Sequence, residues 1–361
     1  MKNVAIIGTQ GVPAQYGGFE SLVENLVGEQ CDKNIKYTVF CSAKAYKEKL
    51  TTYKNAELKY VNLDANGAQS IPYDIISLIK ATRKSDVILV LGVSGCCFLP
   101  IYRLFAPKKR LVINIDGLEH RREKWGKWAK RFLKFSEKMA IKYADQIITD
   151  NKGIQDYVMD EYDKESTLIA YGGDHAIANT LSVQEQEELL SQYNLVKDNY
   201  SITVCRIEPE NNCHVTLEAF SRSDKQLVFI GNWEKSEYGR TLKSKYSQYN
   251  NIKILDPIYD INILYAMRNN ASMYIHGHSA GGTNPSLVEA MFFGKPIIAY
   301  SVVYNKETTE NSAMYFKDVE ELYNILTNDN IDLISQGNNL RNIADKRYTW
   351  STIIKQYEQT Y

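Results

Sequence analysis

Short apolar runs alternate with helical patterns along almost the whole chain, and this alternation limits the possible folds most strongly. In the first half, the predicted strands are Val4–Ile7, Tyr37–Cys41, Leu58–Asn62, Val87–Leu91, Leu111–Ile115 and Gln146–Thr149. In the second half, they are Ile202–Arg206, Leu227–Ile230, Ile252–Leu255, Met273–Ile275 and Ile297–Tyr300. Continuous apolar runs of this kind are typical of strands that are buried on both faces. The sequence therefore predicts an α/β protein with two doubly wound parallel sheets.

The chain length of 361 residues fits two domains of ordinary size. The glycine pair Gly172-Gly173 follows an expected strand, Thr167–Ala170, and allows the chain to change direction. We therefore expect one Rossmann-like domain over 1–172 and a second over 173–345. Because ligands of such sheets bind beyond the carboxyl ends of the strands, a cleft between two facing domains is the expected site.

Composition and charge exclude several classes of protein. The chain has 43 Lys and Arg residues against 43 Asp and Glu residues, and this balance argues against a protein that coats nucleic acid. Six cysteines without CxxC spacing indicate a reducing compartment, and five histidines without an HExxH motif predict no metal site. We recognise no signal peptide and no apolar run of ~18 residues, so we expect a cytoplasmic protein.

The segment from His276 to Tyr300 carries the strongest functional signal. A strand is followed by a glycine turn, and Pro285 then opens a helix that is expected to end near Gly294. Such a turn presents free backbone N–H groups and a positive dipole end to an anion. Glu289 would repel a phosphate from inside this helix, so hydrogen bonding to a ribose diol is its more natural role. These features indicate a sugar-nucleotide site; the alternative for Glu289 is a solvated helix carboxylate.

This segment resembles the donor-site motif of retaining glycosyltransferases of the GT-B fold, glycosyltransferase family four. Glu289-Ala290-Met291 and Gly294-Lys295-Pro296-Ile297-Ile298 match the second half of that motif. Eight residues before Glu289, the family usually has a glutamate that contacts the donor sugar, and Gly281 stands there instead. The resemblance implies that Gly281, Gly282, Thr283, Asn284 and Glu289 bind the donor.

The resemblance also implies a GT-B architecture, in which two Rossmann-like domains face each other across a cleft. In this fold a C-terminal helix returns to the first domain. The segment 346–361 is expected to form that helix, with Trp350, Ile354 and Tyr357 as its buried stripe.

The loop from Gly8 to Glu20 follows the first predicted strand. It is not a GxGxxG motif and lacks the lysine of a P-loop, so nicotinamide and ATP sites are excluded by spacing. Gly17 and Gly18 precede a helix and form a second possible nest of N–H groups. The resemblance implies that this loop lies near the donor phosphates and the acceptor, with Tyr16 on the acceptor side. The alternative is a simple strand-to-helix turn.

The stretch Val204–Asn212 resembles the opening of the second domain in the same family. There, an arginine ends a strand and a lysine follows five residues later, and both bind the diphosphate. Arg206 matches the arginine, whereas Asn211 occupies the lysine position and can donate only a neutral hydrogen bond. A permanently charged, forked guanidinium suits a leaving diphosphate. The alternative for Arg206 is a surface ion pair.

The stretch Asn114–His120 combines a strand end with a polar loop. In related transferases a histidine after this strand contacts the donor sugar and supports positive charge near C1, and His120 matches it by position. Asp116 or Glu119 is the candidate for orienting the acceptor hydroxyl. The alternative for His120 is an incidental loop histidine.

The stretch Arg121–Lys142 carries nine Lys and Arg residues and two glutamates. Its large apolar residues recur at helical spacing and are expected to share one face: Trp125, Trp128, Phe132, Phe135 and Met139. A basic amphipathic helix with tryptophan suits an anionic membrane surface. A core-facing helix with a solvated basic side is the alternative, and both descriptions can hold together.

Taken along its length, the chain resembles the bacterial rhamnosyltransferases of capsule and cell-wall polysaccharide synthesis. The resemblance implies a metal-independent enzyme that uses no cofactor, transfers L-rhamnose from dTDP-L-rhamnose and retains anomeric configuration. The implied acceptor is a sugar on undecaprenyl diphosphate, met peripherally at the inner face of the cell membrane. Three alternatives remain, namely a GT-B transferase with a UDP-sugar donor, a nucleotide-sugar epimerase, and a non-catalytic sugar-nucleotide sensor.

Overall fold

The computed structural model describes residues 1–15, 17–115, 117–122, 125–178, 181–328 and 333–361. The chain divides into two compact units, one of Met1–Tyr171 with Trp350–Tyr361 and one of Gly172–Thr349. The first division lies one residue before the predicted one. The predicted division at 345/346 falls within the helix Leu333–Arg347, which stays whole in the second unit.

The first unit is built on an eight-stranded sheet. Its strands are β1 (Lys2–Ile7), β2 (Ile35–Ser42), β3 (Thr52–Tyr53), β4 (Ala56–Val61), β5 (Val87–Leu91), β6 (Arg110–Ile115), β7 (Gln146–Thr149) and β8 (Thr167–Leu168). Their order is β3-β4-β2-β1-β5-β6-β7-β8, and all neighbouring strands are parallel except β3 and β4. The helices are α1 (Gly18–Gly28), α2 (Ser70–Ala81), α3 (Leu99–Phe105), α4 (Lys127–Tyr143) and α5 (Lys152–Tyr162).

The second unit is built on a six-stranded parallel sheet. Its strands are β9 (Ser201–Val204), β10 (Leu227–Ile230), β11 (Ile252–Leu255), β12 (Met273–His276), β13 (Ile297–Tyr300) and β14 (Met314–Phe316), in the order β11-β10-β9-β12-β13-β14. Its helices are α6 (Val183–Ser191), α7 (Cys213–Ser221), α8 (Glu237–Tyr246), α9 (Ile261–Asn269), α10 (Pro285–Met291), α11 (Val303–Thr308), α12 (Val319–Leu326) and α13 (Leu333–Arg347). The predicted two α/β series are therefore confirmed.

The last helix, α14 (Trp350–Gln359), belongs to the first unit. Its buried residues include the predicted Trp350, Ile354 and Tyr357, and they share an apolar core with β1, β2 and α1. The hydroxyl of Tyr357 accepts a hydrogen bond from Asn114 at 2.5 Å. The chain thus returns to its first unit for the final helix.

The predicted strand Ile202–Arg206 is too long at its carboxyl end. Strand β9 ends at Val204, so Arg206 lies in the following loop. Pro209 follows within a few residues, and proline cannot donate to a sheet ladder.

The predicted aromatic face of Arg121–Lys142 lies partly outside the helix and is not its core-facing side. Trp125 lies before α4, which begins at Lys127, and Trp128 is 81% exposed. The buried residues of α4 are Ser136, Glu137, Ala140 and Ile141. Small side chains allow the helix to pack closely, and hydrogen bonds make the burial of a carboxylate tolerable. The core-facing side of α4 is therefore not the aromatic one.

Candidate functional site

Two loops at the carboxyl ends of β9 and β12 meet in the second unit. Asn212 donates from Nδ2 to the carbonyl oxygen of Gly277 at 2.9 Å. Ser279 donates from its backbone N–H and its hydroxyl to the carbonyl of Glu210, at 2.9 and 2.8 Å. A Cβ at Gly277 would lie 2.3 Å from the Asn211 carbonyl oxygen, so only glycine permits this approach. The two loops that carry the predicted donor-binding residues 206–211 and 281–284 therefore meet at residues 210–212 and 277–279.

Arg206 presents a cation beside this pair of loops. Its Nη1 lies 3.7 Å from Oε2 of Glu208, which is an ion pair too long for a hydrogen bond. Partly exposed ion pairs of this kind contribute little stability. The guanidinium therefore retains its capacity to bind an anionic ligand.

Asn211 has a different environment from the one that its predicted role requires. It is buried, and its Nδ2 donates to the carbonyl oxygen of Arg206 at 2.8 Å. The side chain thus holds the loop that carries Arg206. Its predicted contact with the donor stays a prediction.

The segment Gly281–Asn284 turns the chain from β12 into α10. Gly281 has φ +119°, a conformation that other residues rarely adopt, and the position of its Cβ would meet nothing within 4 Å. In the described part of the chain, the N–H groups of Gly281 and Gly282 make no hydrogen bond. These two groups are therefore available to an anion.

The backbone N–H groups in the first turn of α10 already have hydrogen-bond acceptors. The side-chain oxygen of Asn284 accepts from the N–H of Ser286 at 3.2 Å, and its carbonyl accepts from Leu287 and Val288. This capping is typical of asparagine at a helix start. Anion-binding donors at this position therefore belong to the loop, and Asn284 organises the helix that follows it.

Glu289 lies on α10 and is 18% exposed. Its Oε2 is 2.7 Å from Nη2 of Arg268, which is only 8% exposed, and its Oε1 is 3.3 Å from Nε2 of His175. Burial alone would raise the pKa of this carboxyl, but the charge of Arg268 and the contact with His175 more than offset it and lower the pKa to about 2. Glu289 is therefore ionised and acts as an acceptor of hydrogen bonds.

Arg268 and His175 were not predicted from the sequence. Arg268 lies in the last turn of α9 beside the buried Ala266 and Met267, and a charged residue in such a setting is a signal that could have been noticed. His175 lies in a short 3-10 turn, Asp174–Ile177, directly after the glycine pair. Nothing in its local sequence indicates that its ring meets Glu289.

The glycine-rich loop of the first unit is organised by a carboxylate. Glu20 is buried in the first turn of α1 and accepts from the Thr9 hydroxyl at 2.9 Å and from the Gln10 N–H at 2.8 Å. A Cβ at Gly17 would lie 2.0 Å from Oε2 of Glu20. This negative charge disfavours a phosphate directly at Gly17 and Gly18, and it suits hydroxyl groups better.

His120 lies in a 3-10 turn, Glu119–Arg121, after β6. Its Nδ1 is 3.0 Å from Oε2 of Glu137 on α4. The other oxygen, Oε1, accepts hydrogen bonds from the hydroxyls of Tyr157 and Tyr162, both at 2.6 Å. Burial would raise the pKa of Glu137, but the hydrogen bonds from His120, Tyr157 and Tyr162 outweigh it and lower the pKa. Sequence reasoning missed Glu137 as a partner of His120.

Of the three residues predicted to bind the acceptor, Glu119 lies within the described ranges. Tyr16 and Asp116 lie outside the described residues. The carboxylate of Glu119 is 2.8 Å from Nε of Arg122, and it accepts from Nε1 of Trp125 at 3.1 Å. Glu119 is thus engaged within its own loop, and its acceptor role stays a prediction.

The described ranges were compared with the requirements of a metal site and of a membrane-spanning helix. Across them, no group of three or more His, Cys, Asp or Glu side chains is arranged to hold a metal ion. Over the same ranges, none of the helices combines the length and apolarity needed to cross a membrane.

Solved structures with this architecture identify the fold. Sucrose-phosphate synthase from Thermosynechococcus elongatus is similar over 100% of this chain and 98% of that chain, with a TM-score of 0.83 and 16% identity. HepE from Anabaena in complex with UDP is similar over 100% and 99%, with a TM-score of 0.76 and 16% identity. The catalytic domain of starch synthase IV from Arabidopsis thaliana, bound to ADP and acarbose, is similar over 100% of this chain and 98% of that chain, with a TM-score of 0.71 and 12% identity. The chain has the GT-B fold.

Family models match the two parts of the chain separately. Residues 1–174 match a domain of unknown function, DUF1972. Residues 185–324 match glycosyl transferases group 1. The second unit therefore carries a group 1 glycosyltransferase domain. No curated protein matches the chain in sequence.

Proposed function

We propose that the protein is a retaining glycosyltransferase that moves L-rhamnose from dTDP-L-rhamnose to a sugar on undecaprenyl diphosphate. The group 1 domain supports the enzyme class. The observation that carries the donor site is Glu289, which is ionised, pairs with Arg268 at 2.7 Å and lies on the helix that follows the loop of Gly281. The rhamnosyl donor and the lipid-linked acceptor rest on the sequence resemblance of these same segments.

In the proposed reaction, the second unit binds the nucleotide diphosphate. Glu289 accepts a hydrogen bond from the 3′-hydroxyl of the deoxyribose in dTDP, and Arg206 with the N–H groups of Gly281 and Gly282 stabilises the diphosphate as its charge grows. Groups that are fixed before the reaction provide this stabilisation without reorganisation. Of the two carboxylate oxygens, Oε1 is the easier one to share with that hydroxyl, because its contact with His175 is the longer one.

The proposed chemical step is a same-face displacement. The bond between C1 of the sugar and the leaving phosphate oxygen breaks, and the acceptor oxygen forms a bond to C1 from the same side. The acceptor proton passes to the leaving phosphate, so no protein nucleophile is required and configuration is retained. His120 contacts the donor sugar in this proposal, as the family resemblance implies.

We also propose that the reaction is metal-independent. Arg206 and the loop N–H groups supply the positive charge that a leaving diphosphate requires. Transfer that continues unchanged after dialysis against EDTA is the expected result, and loss of transfer that Mg²⁺ restores would contradict it.

A UDP-sugar is the second candidate donor, and a specific observation favours it. HepE, which has the same fold, is described in complexes with UDP and with UDP-glucose. The contacts proposed above recognise the diphosphate and the 3′-hydroxyl of the pentose, which both kinds of donor have. A deoxyribose offers only one hydroxyl to Glu289, so the sugar ring of the nucleotide is itself a discriminating feature.

The experiment that tests the proposal is a thermal-shift panel of dTDP, UDP and GDP with their sugars. A ligand at 100 times its Kd adds about 2.7 kcal/mol of stability, which is readily measured. Stabilisation by dTDP and dTDP-rhamnose supports the rhamnosyl donor, whereas selective stabilisation by UDP or GDP retains the enzyme class and replaces the donor. No stabilisation by any nucleotide would contradict the proposal.

Product analysis separates the remaining alternatives. Incubation of the stabilising donor with a lipid-linked sugar acceptor should give a glycosylated lipid and free nucleotide, observed by mass spectrometry. An epimerase would convert the donor without an acceptor, and a sensor would bind it without turnover.

We further propose that the first unit meets the membrane through α3 and α4. These helices pack side by side and expose large apolar residues, among them Leu104 at 83% and Trp128 at 81%. Ile101, Phe105 and Phe135 are exposed on the same two helices. The basic residues of α4 border this surface, and such a combination suits anionic lipid headgroups.

Vesicle binding tests this peripheral location. Vesicles that contain phosphatidylglycerol should retain the protein in sedimentation, and neutral phosphatidylcholine vesicles should retain less. The double variant Trp128→Ala/Phe135→Ala should weaken retention, whereas Val183→Ala, an exposed apolar residue of the second unit, should not. Equal retention of the double variant and the wild type would contradict the proposed surface.

A further inference from the structure

We propose that Glu137 is a positioning residue that fixes the ring and the tautomer of His120, so that Nε2 accepts a hydrogen bond from a sugar hydroxyl. The identity of that ligand rests on the proposed glycosyltransferase function. The positioning itself rests on the geometry of the first unit and can be tested without a substrate.

Glu137 is an ionised carboxylate, because its hydrogen bonds lower its pKa against the effect of burial. This carboxylate is only 2% exposed, and three hydrogen-bond donors satisfy it. Two phenol hydroxyls, from Tyr157 and Tyr162, donate to Oε1. Because an ionised carboxylate can only accept hydrogen bonds, the remaining oxygen requires a donor from His120.

Because His120 has to donate a hydrogen bond to Glu137, the position of that contact decides which ring nitrogen carries the proton. Nδ1 of His120 faces Oε2 of Glu137 at 3.0 Å, so the proton of a neutral ring lies on Nδ1. The lone pair then lies on Nε2. In the described part of the chain, Nε2 of His120 has no hydrogen-bond partner. A neutral ring held in this way can accept a hydrogen bond from a hydroxyl, which is the commonest donor on a sugar.

The surroundings hold the ring as well as the proton. The rings of His120 and Tyr157 have centroids 6.0 Å apart with an interplanar angle of 33°. Lys134 lies 3.6 Å from Oε1 of Glu137 and also pairs with Glu161, and Arg121 lies over the ring of Tyr157 at 4.7 Å. Three elements, the turn of His120, α4 and α5, therefore meet at one buried carboxylate.

A merely structural role for Glu137 would tie these three elements together and leave the tautomer undetermined. The two roles differ in what nuclear magnetic resonance would detect. Long-range ¹H–¹⁵N correlation distinguishes the two neutral tautomers of histidine. The five histidines of the chain give few signals, and His120→Gln assigns the one in question.

The first measurement uses the full-length wild type at about pH 8, where an ordinary imidazole is neutral. His120 should be in the Nδ1–H form. In Glu137→Gln the amide can either accept or donate, so the signal should shift toward the Nε2–H form. Tyr162→Phe is the matched control, because it removes a hydrogen bond from the same carboxylate but leaves the contact with His120, and its tautomer should match the wild type.

An Nε2–H tautomer in the wild type overturns the proposal, even if Glu137→Gln does not fold. An unchanged Nδ1–H tautomer in a folded Glu137→Gln overturns it too. The second measurement is transfer, with the donor identified by the nucleotide panel. Glu137→Gln should lower kcat by about tenfold or more with little change in nucleotide affinity, a size typical of disturbed acid–base or polar positioning. A wild-type kcat in a variant with a changed tautomer overturns the role in transfer.

These outcomes separate the two proposals. If the wild type transfers no sugar to any acceptor, the proposed function fails, and the tautomer still decides whether Glu137 positions His120. If transfer occurs and the tautomer is wrong, only the inference about Glu137 fails.

Discussion

Each unit of the protein contains a glutamate that contacts a histidine, and the two pairs are built in opposite ways. In the first unit the glutamate, Glu137, is buried, and the neutral donors Tyr157 and Tyr162 share it with His120. In the second unit Glu289 is 18% exposed and His175 is 39% exposed, and the most buried member of the cluster is a cation, Arg268, at 8%.

The difference indicates which side chain acts on a ligand and which supports it. A buried group with all its partners satisfied is fixed in one place, and it can fix its neighbour. Glu137 is in that position toward His120, whereas Arg268 is a buried cation that supports Glu289 through the 2.7 Å ion pair. The supported residues, His120 and Glu289, are the ones that the sequence resemblance assigns to the ligand.

The largest expected loss of unfolding free energy tests the difference between the two clusters. Glu289→Gln leaves the guanidinium of Arg268 buried without an opposite charge, which typically costs about 3–5 kcal/mol of unfolding free energy. Glu137→Gln leaves neutral hydroxyls, an imidazole and the partly exposed Lys134, which keeps its ion pair with Glu161. One imperfect buried hydrogen bond costs about 1–3 kcal/mol. Urea unfolding should therefore rank Glu289→Gln as the more damaging change.

The control for this ranking is Glu320→Gln, which removes an exposed ion pair with Arg222. A surface pair of this kind contributes about 0–1 kcal/mol. Hydrogen exchange should locate the loss of protection in the second unit for Glu289→Gln and in the first unit for Glu137→Gln. Equal losses for the two variants would contradict the distinction between charged and neutral support.

A second prediction separates ligand binding from stability within the second unit. Arg206→Ala removes a cation that has only a long contact with Glu208, so the unfolding free energy should hardly change. Loss of a charged hydrogen bond to the diphosphate should cost about 1.5–3 kcal/mol, or roughly 10–150-fold in kcat/KM. Kinetic assays with the identified donor measure this loss.

Arg222→Ala is the matched control for Arg206→Ala, since Arg222 is an arginine of the same unit with an exposed carboxylate partner. It should leave kcat/KM unchanged. Equal kinetics for Arg206→Ala and the wild type would remove Arg206 from the proposed donor site.

The fold was predictable because strands buried on both faces are continuous apolar runs. Four residues such as Leu227–Ile230 suffice to mark one, and the structure has the same bounds. The candidate site was predictable only where a local motif carries it, as with Glu289. Arg268, His175 and Glu137 are missing from the prediction, because their partners are distant in sequence and apolar periodicity gives no signal for a buried polar contact.

The buried face of α4 could not be predicted for the same reason. Periodicity identified an aromatic stripe correctly as a repeating pattern but could not decide which face of the helix is buried. The helix buries a face that includes Ser136 and Glu137 and exposes Trp128. The burial of Glu137 depends on donors from α5, which the sequence of α4 does not contain.

A third prediction concerns the position where the related transferases have a glutamate. Gly281 has φ +119°, so Gly281→Ala should lower the unfolding free energy by about 1–2 kcal/mol through backbone strain alone. The site of the added Cβ is otherwise open. Gly281→Glu should have a similar cost, since the strain does not depend on the side chain.

Gly282→Ala is the control for this strain, because Gly282 is not among the glycines with positive φ. Urea unfolding should show a smaller loss for Gly282→Ala than for Gly281→Ala. The reverse order would mean that the loop conformation is not what excludes a glutamate from position 281.

The smallest expected effect comes from His276, a histidine that has no carboxylate partner. It is buried in β12, and in the ranges that the structure covers neither ring nitrogen has a hydrogen-bond partner. Burial lowers its pKa from 6.5 to about 3. Between these values the unfolded chain binds a proton that the folded chain does not, so stability is complete above pH 6.5 and falls as the pH falls. His276→Phe should remove this pH dependence of the unfolding free energy, and the phenyl ring should stay stacked on His278.

The measurement is urea unfolding of both proteins at about pH 7.5 and about pH 6, over which the wild type should lose about 0.8 kcal/mol more than His276→Phe. Tyr274→Phe is the control, because Tyr274 stacks on His276 and its pKa is raised to about 12, so its substitution should cost the same at both pH values. Parallel pH responses of the wild type and His276→Phe would mean that His276 is protonated or hydrogen-bonded in the folded protein. In that case burial without a carboxylate would no longer distinguish it from His120 and His175.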